Sequence, residues 1–176
     1  MANEFPIRPQ WMGYEIHPET PPQGSLLRDV FPSDRVDRMY EKLQARAKEF
    51  DITFGNVTVL SNSSLALQAG EFARDQGLFD QFHEALSSAY FTEIHDIGNM
   101  DVILAVAESV GVDKWELGES LREHVFLPRL EKTKQEADRS GITGVPTFII
   151  DGSLRVVGAQ PLYVFRNLLR EISGKH

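Results

Sequence analysis

Among the side chains able to do chemistry in this 176-residue sequence, the sulfur nucleophile is missing: there is no cysteine. That removes disulfides, thiolate catalysis and thiolate metal ligation from these residues. The histidines, His17, His83, His95, His124 and His176, are scattered. None pairs with a second histidine or with carboxylates at an established ligand spacing, so no metal site and no cofactor is expected. His95-Asp96 sets an acid beside a base, but adjacent loop residues seldom face each other, and a solvated turn accounts for them. The hydroxyl run Ser61-Asn62-Ser63-Ser64 lacks a nucleophile elbow and suits a helix cap.

The most specific stretch is Gly144-Val145-Pro146-Thr147, within GITGVPTFIIDG. From the residues alone Pro146 is either a trans proline at the first position of a strand, the commoner case, or a cis proline. A cis bond exposes the carbonyl and amide of Val145 sideways, where an extended peptide can pair with them as an added strand. Gly144 either allows close backbone approach or is a plain turn residue.

The elements around these residues follow from periodicity. Alternation in QWMGYEI predicts an edge strand over Gln10 to Ile16, and HPETPPQG predicts a turn or irregular loop. Val36, Met39, Tyr40, Leu43, Ala47 and Phe50 fall on one face of a helix from Ser33 to about Glu49. A short irregular link, 51–63, leads to a helix capped by Asn62 or Ser63 and ended near Gly77. Four amphipathic segments follow, one carrying Phe79, Phe82, Tyr90 and Phe91 as a packing face or the lining of a peptide groove. PTFII reads as a strand covered on both faces, Asp151-Gly152 as a hairpin turn and LRVV as its return. Pro161 opens a last helix whose Tyr163, Phe165, Leu168, Leu169 and Ile172 are expected to pack inward.

Composition bounds the function. With 18 basic against 26 acidic residues the chain carries a formal charge of −8, which disfavours a nucleic-acid backbone as partner. No apolar run approaches the ~18 residues of a membrane span, and the first residues lack a secretory signal, so a soluble cytoplasmic protein without a membrane partner is expected.

Taken together, WMGYEIHPETPPQG, FDQFHEALSSAYFTEIHDIG, GITGVPTFIIDG and VVGAQPLYVFRNLL resemble the FrnE-type branch of the DsbA-like oxidoreductases, from about Trp11 to Leu169. The resemblance implies a single α/β domain over 1–176 with a thioredoxin-like fold. Residues 33–140 would be mainly a helical insertion, and 10–16 and 146–173 the thioredoxin core. It also implies a cis Val145-Pro146 bond, substrate binding by Gly144, Val145, Pro146 and Thr147, and a thiol or disulfide substrate protein or small thiol as partner. In that family a first strand and a Cys-X-X-Cys helix precede everything seen here. The fold is therefore expected to be incomplete at its N-terminus, Met1 to be an internal start or an artificial boundary, and the chain to be inactive in thiol exchange. Removing a central strand leaves its two neighbours about 10 Å apart, so a replacement strand, as in a homodimer, is expected before collapse. Two alternatives are a relative of kappa-class glutathione transferases and hydroxychromene-carboxylate isomerases, and a redox-dead peptide-binding module.

Overall fold

A computed structural model describes residues 4–174 and shows a helix-rich α/β chain. It divides into two compact units, residues 17–132 and residues 1–16 with 133–176.

In the first unit β1 (Ser25–Leu26) leads into the short helix α1 (Leu27–Val30) and then α2 (Ser33–Ala47), which tightens into a 3-10 turn over Lys48–Phe50. The link that follows is not wholly irregular: β2 (Val59–Leu60) pairs antiparallel with β1, with Ser25 opposite Leu60 and Leu26 opposite Val59. Two residues are too few for a period-2 signal, which is why the sequence pattern misses this strand. Gly24 makes the pairing possible: its φ is +74, and a Cβ there would sit 3.0 Å from the Leu60 carbonyl oxygen.

Next come α3 (Ser64–Asp75), α4 (Phe79–Phe91), α5 (Met100–Ser109) and α6 (Lys114–Arg122). Ala66, Ala69 and Ala73 present small side chains along one face of α3, so neighbouring helices approach closely around Phe82, Ile103, Leu117 and Leu121. Asn99 and Asp113 cap α5 and α6 by accepting hydrogen bonds from the first-turn amides. A separate cluster of Leu27, Val36 and Val57 holds α1 and α2 against the chain leading to β2. There the Tyr40 and Tyr90 hydroxyls donate to the carbonyls of Val57 and Val59 at 2.6 and 2.9 Å. Burial pushes both phenols above their ordinary pKa. Helix α7 (Leu127–Arg139) begins in this unit.

The second unit contains the end of α7, the hairpin of β3 (Thr147–Ile150) and β4 (Leu154–Val157), and α8 (Leu162–Ser173). Asp151 and Gly152 take φ of 51° and 67° in the three-residue turn 151–153 that joins the paired Ile150 and Leu154, left-handed conformations that a tight hairpin turn uses. Three expectations are corrected. Residues 10–16 form no strand: their alternation has no ladder to join, and Tyr14 is held by its side chain, its hydroxyl donating to Asp138 at 3.2 Å and to the Ile142 carbonyl at 3.3 Å. β3 is not covered on both faces, since Phe148 is 37% and Ile149 54% exposed in a two-stranded sheet. On α8, Leu169 is buried and Phe165 meets Phe148 edge to face at 4.8 Å, but Tyr163 is 64% exposed on the other side of the helix.

Candidate substrate-binding loop

The loop before β3 is fixed at both ends and open in the middle. On the upstream side the Arg155 guanidinium donates to the carbonyls of Ser140 and Gly141 at 2.6 and 3.1 Å, and Tyr14 reaches Ile142. On the downstream side the Gly158 amide donates to the Pro146 carbonyl at 2.8 Å, extending the β3–β4 ladder by one pair. Thr147 closes the turn on itself, its hydroxyl donating to the Gly144 carbonyl at 2.7 Å. The Val145-Pro146 peptide bond is cis.

Between these ties the main chain of Val145 takes no hydrogen bond among the described residues, and its side chain is 50% exposed. Nothing lies within 4 Å of the position a Cβ would take on Gly144, so that glycine borders open space and no close approach requires it.

Antiparallel ladders alternate bonded and non-bonded pairs. With Pro146 and Gly158 bonded, Phe148–Val156 and Ile150–Leu154 face each other through their main chains, and the main chains of Thr147 and Ile149 point to the other edge. Among the described residues no strand pairs with that edge. The surface there is apolar and uncharged: residues 141–150 contain no ionisable side chain, and the nearby Arg155 is committed to backbone carbonyls. Chemically this is a neutral edge able to accept an extended main chain.

Gly144, Val145, Pro146 and Thr147 thus lie together by chain continuity, and the loop's positioning depends on two residues that the sequence pattern does not single out, Tyr14 and Arg155. Arg155 is legible only as a polar residue in the strand LRVV; its reach to Ser140 depends on the hairpin fold. The other candidates have local roles. His95 and Asp96 do not face each other: His95 Nδ1 is 3.5 Å from Glu93, and Asp96 accepts the Gly98 amide. Asn62 caps the start of α3 by accepting the Ser64 amide at 3.0 Å and donates to the Thr20 carbonyl. Phe82 lies in the core, Phe79 stacks on His83, and Phe91 packs against Phe54 while remaining partly exposed.

Known proteins resemble this chain in sequence and in fold. The family model for the DSBA-like thioredoxin domain matches residues 4–170. A Bacillus subtilis protein described as uncharacterized, YwbO, is 27% identical over 176 residues, spanning 96% of this chain and 84% of its own. The crystal structure of a probable DsbA oxidoreductase from Streptomyces coelicolor superposes with a TM-score of 0.84 at 18% identity, covering 93% of this chain and 74% of that one. The hairpin, the loop that leads into it and the helical layer are therefore those of a DsbA-like thioredoxin fold, and the chain belongs to the DSBA-like thioredoxin domain family.

Proposed function

We propose that this chain provides the substrate-holding half of a FrnE-type thiol–disulfide oxidoreductase, and that these 176 residues bind an extended polypeptide without exchanging thiols themselves. The observation that carries the reading is the main chain of Val145, unpaired among the described residues, beside an edge of β3 that no described strand joins, in a sequence with no cysteine. Gly144, Val145, Pro146 and Thr147 present the edge; the substrate main chain pairs with it, and apolar substrate side chains rest on Phe148 and Ile149. Disulfide exchange requires attack by a thiolate, and no residue here can supply one. The uncharged surroundings favour an apolar peptide over glutathione, whose carboxylates find no free cation within residues 141–150.

Two measurements on the 176-residue chain test this. Insulin reduction and dithiol oxidation should stay at the buffer rate, while a cysteine-containing apolar peptide should shift the amide resonances of 144–149. Activity persisting after contaminating thiols are blocked overturns the first half. Shifts produced by glutathione and not by the peptide overturn the second, in favour of the glutathione-transferase branch.

A further inference from the structure

The edge of β3 that no described strand joins also fits a second copy of the chain. Thr147 and Ile149 point their main chains to it, and residues 141–150 carry none of the charges that blunt natural edge strands. The sheet face beside that edge is bare as well. Thr147, Ile149 and Val157 lie on the side away from the Phe148–Phe165 contact, and Ile149 and Val157 are each more than half exposed. An unpaired edge next to an exposed apolar face is a surface that another strand completes.

Charge and register select the occupant. The formal charge of −8 opposes self-association of the chain as a whole. That excess is unevenly placed: residues 17–132 hold 20 acidic against 11 basic residues, whereas the unit that carries β3 holds 6 against 7. Two copies can therefore meet through their hairpin units without net like-charge repulsion.

A strand related to its own copy by a two-fold axis pairs antiparallel. With the axis at Phe148, Thr147 of each copy stands opposite Ile149 of the other, so every outward-facing main-chain group of the four-residue strand is used. Pro146, which has no amide to give, turns its carbonyl inward to Gly158 and is not needed. Phe148 meets Phe148 of the other copy at a non-hydrogen-bonded position, where side chains come closest. The two Asp151 carboxylates fall at opposite ends of the pair, roughly 20 Å apart, beyond the ~8 Å screening length at physiological salt.

We propose that β3 pairs antiparallel with β3 of a second copy about a two-fold axis at Phe148, giving the sheet order β4-β3-β3-β4, and that this self-pairing competes with peptide for the edge. The competition rests on the peptide-binding reading above; the pairing does not. Two four-residue strands bury far less than the roughly 800 Å² per partner of a standard stable interface, so the dimer is weak and exchanging, and peptide can displace it.

Sedimentation equilibrium of the whole chain at rising concentration tests the pairing. The mass should climb from monomer toward dimer, and Ile149→Lys, which sets a charge against the edge of the other copy, should weaken association about ten-fold. Ile52→Lys changes a similarly exposed isoleucine of the other unit and should associate as the parent does. In a mixture of isotope-labelled and unlabelled parent protein, nuclear Overhauser effects should run from residues 147–149 of one copy to 147–149 of the other, which keeps the test valid if the first variant is unstable. A cysteine-containing apolar peptide should return the mass to that of the monomer. A monomer at every concentration, equal weakening in both variants, or intermolecular effects centred elsewhere overturns the pairing, even where peptide still shifts 144–149. Peptide that binds without dissociating the dimer overturns the competition. A dimer that forms while peptide shifts nothing upholds the pairing and counts against the peptide reading alone.

Discussion

Single side chains determine how firmly the candidate loop is held. Thr147 closes the loop with one hydrogen bond to the Gly144 carbonyl, so Thr147→Val should lower stability by about 1 kcal/mol and weaken peptide capture, and Thr147→Ser should restore both. Urea unfolding and peptide titration check this pair. Another residue-level prediction concerns acid. The Arg129 guanidinium donates to Asp75 and holds its carboxyl below the ordinary value of 3.8. A carboxylate with a depressed folded pKa stabilises the native state fully above its unfolded pKa and loses that contribution as pH falls through the folded one. The urea midpoint should therefore fall between about pH 5 and about pH 2, and fall less in Arg129→Gln; identical pH profiles for the two proteins would refute the assignment.

At the scale of elements, the hairpin is a turn with specific demands between two exposed strands. Gly152 has φ of +67 with nothing near its Cβ position, so substitution there is a matter of backbone conformation and not of space. Gly152→Val should cost about 1–2 kcal/mol in a thermal or urea melt, with β3–β4 amides exchanging faster. This turn was legible: Asp-Gly between two apolar runs specifies it whatever surrounds it. The helices α2 to α8 were legible for a related reason, since 3.6-residue periodicity is written along each segment. The strand expected at 10–16 shows where that reasoning stops. Alternation supplies a face, but a strand also needs a neighbour for its amides and carbonyls, and Met12 and Ile16 are left largely exposed.

On the scale of the whole molecule, burial is unequally distributed between the two units. Residues 17–132 contain the cluster around Phe82, Ile103, Leu117 and Leu121, whereas Val156 and Leu169 are the buried apolar side chains of the other unit among the described residues. Local stability follows buried apolar contact. Hydrogen exchange by mass spectrometry should therefore protect α3, α5 and α6 for longest and release β3, β4 and α8 earlier; the reverse order would contradict this distribution of core. Peptide bound at the β3 edge should slow exchange in the hairpin, linking the proposed function to the less protected unit.

By itself the sequence determined the helices, the Asp-Gly hairpin, the absence of a thiolate and the family resemblance, because each depends on residue type at short range. Only the tertiary structure decided that Arg155 and Tyr14 hold the loop, that among the described residues the main chain of Val145 is unpaired and one edge of β3 is open, and that β3 has an exposed face. Those features depend on which distant segment lies beside a residue. Hydrogen bonding and burial are properties of that neighbourhood, and periodicity in one segment fixes which face is apolar without fixing what covers it.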